Sequence, residues 1–260
     1  MLHEKIQLRS TSEIPYITTY ILEDTIRNQP KRPLIVIFPG GGYEYRSPRE
    51  AEPIACEFNS AGMNAVVVEY SVNTPYPQSL IDASDALVYV KQHAEEWNTD
   101  PDKIFVCGFS AGGHLAANLA IMCEKEEAIK RPDKLNKPAG MILCYPVITS
   151  GEFAHRGSFD AISAVTPELL EKTSLEKQVD KNTPPAFIWH TFSDNAVPVE
   201  NSLMLASAMR ENGVPFELHI YPNGPHGLSL STDFVSETKD GSIPHVRNWI
   251  CHAKKWVELF

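Results

Sequence analysis

The chain has 260 residues and a formal charge of -10 at pH 7, and its 43% hydrophobic and 22% charged content is that of a folded globular protein rather than a disordered one. The acidic balance disfavours nucleic acid and anionic membrane surfaces as partners, because their phosphates would be repelled. Nowhere do about 18 consecutive apolar residues occur, and the opening MLHEKIQ lacks the apolar run of a secretory leader, so a cytoplasmic location is expected. Five cysteines, Cys56, Cys107, Cys123, Cys144 and Cys251, show no metal-ligand spacing and read as reduced thiols in mostly apolar surroundings.

Residues 5–9 and 16–22 alternate and are rich in β-branched and aromatic side chains, with Thr11-Ser12-Glu13-Ile14-Pro15 between them, which predicts an opening antiparallel hairpin. The unbroken apolar run 34–38 predicts a strand buried on both faces and leads into Pro39-Gly40-Gly41-Gly42-Tyr43. A helix is expected over 48–60, ended by Ala61-Gly62, and a buried strand over 64–70. Residues 79–97 set Leu80, Ala83, Leu87, Val88 and Val90 among polar neighbours and predict a long amphipathic helix. A strand over 103–107 follows, then a turn and a helix beginning near His114 and Leu115. Residues 124–137 read as a charged, solvated connection, and 140–147 as another strand. The rhythm breaks over 148–184, where only 167–177 has a helical pattern, so this stretch is expected to form a small lid over the strand ends. Strand 186–190, helix 199–212, strand 216–221 and helix 244–259 complete the chain. Repeated strand and helix alternation predicts one α/β domain over 1–260, with a mostly parallel sheet covered by helices on both faces.

The turn between strand 103–107 and its helix is Gly108-Phe109-Ser110-Ala111-Gly112, a Gly-x-Ser-x-Gly pattern. A serine on so tight a turn needs neighbours without side chains, and its hydroxyl then stands at a helix N-terminus, where a developing negative charge is favoured. Ligands of parallel sheets gather at the carboxyl ends of the strands. Three more loops fall there, over 39–43, 191–198 and 223–227. Asp194 alone reads as a turn or helix cap, and His226 alone as a surface histidine. Together with Ser110, each after a separate strand, they predict a nucleophile, a base and an acid that orients the base. Asp160 and Glu200 are lesser candidates for the acid. His114 and His190 read as packing or hydrogen-bonding residues, Tyr43, Tyr45 and Trp189 as pocket-lining or packing residues, and Glu50 and Glu52 as a solvated helix face without a role.

With these motifs, and with Arg49-Glu50-Ala51-Glu52-Pro53, Val197-Pro198 and His226-Gly227, the chain resembles the α/β-hydrolase superfamily of esterases and lipases, specifically the small carbohydrate-esterase branch that includes acetylxylan esterases. The order Ser, Asp, His along the chain is that of this fold. One departure is Pro39, which stands where many of these enzymes carry a histidine before three glycines; it argues against the hormone-sensitive-lipase branch and leaves the glycine amides in place. The resemblance implies an α/β-hydrolase fold and hydrolysis, through an acyl-enzyme, of short and specifically acetyl esters of a carbohydrate or other small alcohol. It implies no metal or cofactor. The amides of Gly41, Gly42 and Ala111 are expected to hold the oxyanion and Tyr43 to contact substrate. A peptidase or amidase with the same triad, and a non-catalytic binding protein on the same scaffold, are the alternative readings, and a homo-oligomer stays open.

Overall fold

The computed structural model describes residues 1–10, 14–24, 29–236 and 241–260. Eight strands, β1 (Lys5–Gln7), β2 (Tyr16–Tyr20), β3 (Arg32–Phe38), β4 (Asn64–Glu69), β5 (Thr99–Phe109), β6 (Met141–Cys144), β7 (Ala186–Thr191) and β8 (Phe216–Tyr221), form one sheet in the order β1-β2-β4-β3-β5-β6-β7-β8. The pairings β1 with β2 and β2 with β4 are antiparallel, and every pairing from β4 to β8 is parallel. The expected hairpin is therefore present, although residues 11–13 of its turn lie outside the described residues.

The strands bury both faces by simple alternation. Leu34, Val36 and Phe38 of β3 and Ile104 and Val106 of β5 face one core, packed by α2 (Gln78–Gln92) and α3 (Ala111–Met122). Ile35, Ile37, Phe105 and Cys107 face the other, packed by α1 (Glu52–Ser60) and by the C-terminal α8 (Trp249–Val257) with its Trp249 and Trp256. From β3 the chain winds outward through α1 to β4, then returns through α2 to β5 on β3's other side. The order reverses there, so the loops after β3 and β5 diverge and leave a crevice between them.

Several boundaries differ from expectation for local reasons. The helix expected over 48–60 is a 3-10 turn at Pro48–Glu50 followed by α1, with Ala51 at φ -109°, ψ -104° between them. Pro53 has no N–H to give the carbonyl of Arg49, and its ring crowds that position, so a continuous helix cannot form. Strand β6 stops at Cys144 because Tyr145 turns to φ 39° and Pro146 cannot join a ladder. The helix expected to end near Trp97 finishes as α2 at Gln92, and the last helix divides into α7 (Pro244–Arg247) and α8.

The connection over 124–137 is not wholly solvated: Ile129, Asn136 and Glu126 are buried, and Glu126 accepts a hydrogen bond from the hydroxyl of Tyr76 at 2.8 Å and pairs with Lys172 at 2.5 Å. The 148–184 stretch holds α4 (Arg156–Ala161), α5 (Pro167–Thr173) and a 3-10 turn at Leu175–Lys177. It is packed onto the body, with Phe159, Ile162, Ala164 and Leu175 in the core on the α3 side. Cys107, Cys123 and Cys144 are buried free thiols, whereas Cys56 and Cys251 are exposed, contrary to their apolar sequence setting. Among the described residues no helix is long and apolar enough to cross a membrane.

Candidate active site

Ser110 sits between β5 and α3 at φ 53°, ψ -119°, a strained conformation for a residue with a Cβ. Its backbone is held on both sides, its N–H donating to the carbonyl of Cys144 at 3.0 Å and its C=O accepting from Val147 N–H at 3.1 Å. The flanking glycines are steric requirements. A Cβ on Gly108 would lie 2.1 Å from the carbonyl oxygen of Gly112, and one on Gly112 would lie 2.1 Å from that of Phe38.

Asp194 lies between β7 and α6 (Glu200–Glu211), and His226 in the loop after β8. The structure brings both to Ser110: His226 Nε2 is 2.8 Å from Ser110 Oγ, and His226 Nδ1 is 2.6 Å from Asp194 Oδ2. An ionised carboxylate only accepts, so Nδ1 carries the proton and Nε2 is free to accept the serine hydroxyl's. The other oxygen of Asp194, Oδ1, accepts from the N–H groups of Ala196 (3.0 Å) and Val197 (2.9 Å). Burial pushes this carboxyl's pKa up, but the bonds to His190 and His226, the charge of His226 and the Val197 N–H outweigh it and hold Asp194 well below the usual carboxylate range. The two loops are also joined to each other, since Thr191 Oγ1 donates to the carbonyl of Gly224 at 2.8 Å.

The amides of Gly41, Gly42 and Ala111 donate to no acceptor among the described residues. Gly41 and Gly42 have φ of 128° and 66°, and their loop borders, with Ser110 and His226, a cavity of about 440 Å³. Its remaining wall is polar: Glu44, Tyr45, Ser47, Arg49, Glu50, His155, Gly157 and Gly227. His155 and Gly157 come from the 148–184 stretch, which supplies a side wall to the cavity.

Other sequence expectations are redistributed. Tyr43, expected to contact substrate, is turned into the core, only 2% exposed, with its hydroxyl 2.8 Å from His114 Nδ1; Tyr45, 59% exposed, lines the cavity instead. His114 is buried, and its Nε2 donates to the carbonyl of Thr173 at 2.9 Å, so it joins α3 to α5 as a hydrogen-bonding residue. His190 behaves likewise, donating from Nε2 to Val197 O at 2.9 Å, with Ser202 Oγ 2.8 Å from Nδ1. Trp189 is fully buried, stacked on Trp249. Asp160 is exposed on α4, and the acid that meets His226 is Asp194.

The reading of Glu50 is the largest correction. It is 2% exposed, not solvated, accepts from Gly40 N–H at 2.8 Å and from Tyr145 Oη–H at 2.6 Å, and lines the cavity. Arg49-Glu50-Ala51-Glu52 looks like an exposed helix turn in sequence; the one usable signal is the pair of prolines, Pro48 and Pro53, that closes it off from a regular helix. Among the described residues Glu217, His219 and His252 bring one ligand atom each within 4.8 Å of one another, but two of them lie on β8 before its carboxyl end, apart from the cavity.

A family model described as the alpha/beta hydrolase fold matches residues 35–230. The chain belongs to that family. It is 39% identical over 229 residues to endo-1,4-beta-xylanase B of Butyrivibrio fibrisolvens, covering 85% of this chain and 35% of that protein. It is 32% identical over 227 residues to an acetylxylan esterase of Xylanibacter ruminicola, covering 83% of this chain and 45% of that protein. The chain thus spans less than half of either relative. Among solved structures, an acetyl ester-xyloside bifunctional hydrolase from Caldicellulosiruptor lactoaceticus superimposes with a TM-score of 0.86 at 37% identity, covering 98% of this chain and 96% of that one. A carboxylesterase from Lactobacillus plantarum gives a TM-score of 0.88 at 27% identity, covering 100% and 98%.

Proposed function

We propose that this chain hydrolyses carboxylic esters through a serine acyl-enzyme, acting on acetyl-sized acyl groups carried by a carbohydrate or similar polyhydroxylated alcohol. The observation that carries the reading is the continuous relay from Ser110 Oγ to His226 Nε2 (2.8 Å) and from Nδ1 to Asp194 (2.6 Å). As Ser110 Oγ attacks the ester carbonyl, its proton passes to Nε2, and Asp194 stabilises the imidazolium that results. Charge gathers on the former carbonyl oxygen, toward which the free amides of Gly41, Gly42 and Ala111 donate. Collapse of the tetrahedral intermediate breaks the bond to the alcohol oxygen, which takes the proton from Nε2. Water then attacks the acyl carbon, giving a proton to Nε2; the bond to Ser110 Oγ breaks, Oγ takes that proton back, and the free acid leaves.

The sugar-like alcohol is supported by the cavity wall, where Glu44, Ser47, Arg49 and His155 offer hydrogen-bonding groups beside the reacting centre, and by the names of the relatives. The test is hydrolysis of p-nitrophenyl esters from acetyl to octanoyl, with acetylated xylo-oligosaccharides and an aminoacyl anilide in parallel. p-Nitrophenol release that falls with acyl length, and acetate release from the oligosaccharides, both vanishing in Ser110→Ala, are the expected results. Turnover that survives Ser110→Ala overturns the nucleophile assignment, and preferential anilide cleavage replaces the esterase by a peptidase.

A further inference from the structure

We propose that Glu50 is a positioning residue for this reaction, its buried carboxylate tying the loop of the oxyanion amides to the loop of His226, with Arg49 as the second half of the tie. The inference rests on the ester-hydrolase reading above. The two residues bond both to the loop of Gly41 and Gly42 and to the loop of His226. Glu50 Oε2 takes the N–H of Gly40 at 2.8 Å, and Oε1 takes the hydroxyl proton of Tyr145 at 2.6 Å. Tyr145 Oη in turn accepts the N–H of Ser229, three residues beyond His226, at 2.9 Å, and its ring stands edge-on to the imidazole with centroids 5.0 Å apart. Arg49 donates from its guanidinium to the carbonyl of Gly227 at 2.9 Å, and its own carbonyl accepts from Ser229 Oγ at 2.6 Å. That carbonyl is available because Pro53 cannot donate to it.

The N–H groups of Gly40 and Ser229 can only donate, so Glu50 Oε2 accepts from Gly40, and with Ser229 held at Tyr145 Oη the tyrosine proton is directed at Oε1. A carboxylate accepts at both oxygens, whereas an amide offers only one acceptor. Around it, Gly40 has no spare room: a Cβ there would lie 2.7 Å from Glu50 Oε2, 2.7 Å from Phe109 O and 3.0 Å from Ser110 Cβ. With Gly40 N–H held by Glu50 and Pro39 O held by the Tyr70 hydroxyl at 2.6 Å, the loop is tied up to the residue before Gly41 and Gly42, whose amides stay free. The groups facing the carboxylate are Arg49 on its own turn, His226, Cys144 at the end of β6, Tyr145 just beyond it, and Tyr70 beyond β4. Burial pushes the Glu50 carboxyl up from its ordinary value, while Tyr145, Gly40 and the charges of His226 and Arg49 pull it back. Its negative charge favours the imidazolium that forms on His226 during attack.

The decisive variant is Glu50→Gln, which keeps shape but offers one acceptor where two are needed. Expected is a loss of kcat of about 10- to 100-fold with KM changed less than about 3-fold, since misplacement by about an ångström costs about that much. Wild-type kcat overturns the proposal, as does a KM that deteriorates as much as kcat, which marks a merely structural residue. Tyr145→Phe decides the matter if Glu50→Gln does not fold: it cuts the link to Ser229 and should lower kcat by about 10-fold, and unchanged kcat there equally overturns the proposal. Turnover indifferent to Ser110→Ala would instead sink the ester-hydrolase reading itself; a Ser110-dependent enzyme indifferent to both variants sinks only the role of Glu50.

Discussion

Asp194 illustrates how one side chain's two oxygens divide their work. Oδ1 is committed to the N–H groups of Ala196 and Val197, which only an oxygen can satisfy. In Asp194→Asn the amide oxygen must therefore stay at that position, and the amide nitrogen faces His226 Nδ1. Nδ1 becomes an acceptor, the ring proton moves to Nε2, and Ser110 loses the acceptor that serves as base in the proposed mechanism, without any change in shape. We expect kcat for an acetyl ester to fall on the order of 10⁴-fold with little change in the melting temperature. A fall of less than about 10-fold, measured alongside unchanged circular dichroism, would show that another acid orients His226. Tyr43 and Glu50 lie against their sequence expectation because a sequence shows residue type and neighbours but not direction. Tyr43 follows three glycines and so looks loop-bound and accessible, yet its φ of 63° turns the ring back onto His114 and Tyr70.

Elements were legible where burial leaves a pattern. Strands β3 to β7 are apolar runs because helices cover both faces, and the serine turn is visible because its glycines are sterically compelled at both ends. The order of those strands, and hence the pairing of the β3 loop with the β5 turn, depends on crossovers that local pattern does not record. The 148–184 stretch is the hardest to read, since its polar side chains bond mostly among themselves while its leading backbone groups are held from a distant element. Asn201 on α6 is the clearest case. It is fully buried, its Oδ1 accepts from Ile148 N–H (2.8 Å) and Thr149 N–H (3.1 Å), and its Nδ2 donates to Phe153 O (2.9 Å). Asn201→Ala leaves those backbone groups buried and unpaired, so we expect a loss of about 3 kcal/mol in urea unfolding. Because the released segment carries His155 and Gly157 while the triad sits on other loops, KM should rise more than kcat falls. Equal loss in both, or unchanged KM, would detach this segment from substrate binding.

At the scale of the whole molecule, buried titratable groups set how stability changes with acidity. Burial lowers the His114 pKa from 6.5 to about 4 by desolvating the charged ring, and the Thr173 carbonyl that accepts from Nε2 pulls it only partly back. The folded value lies below the unfolded one, so as the pH falls through about 6.5 the unfolded chain takes up a proton the folded chain refuses. Stability is therefore full above that range and is lost on the way down to about pH 4, where the folded ring also protonates. The desolvated His155 acts in the same direction. Glu50, raised by burial, acts oppositely, and Asp194, lowered, holds its contribution until the pH drops below its unfolded value of 3.8. The histidines thus lower stability across the mildly acidic window, and for His114 alone the loss amounts to about 2 kcal/mol between about pH 7 and pH 5. Urea unfolding of the wild type at those two conditions should show that loss. His114→Asn, less stable at neutral pH, should lose markedly less between them, and an equally steep decline in the variant would place the acid sensitivity in other groups.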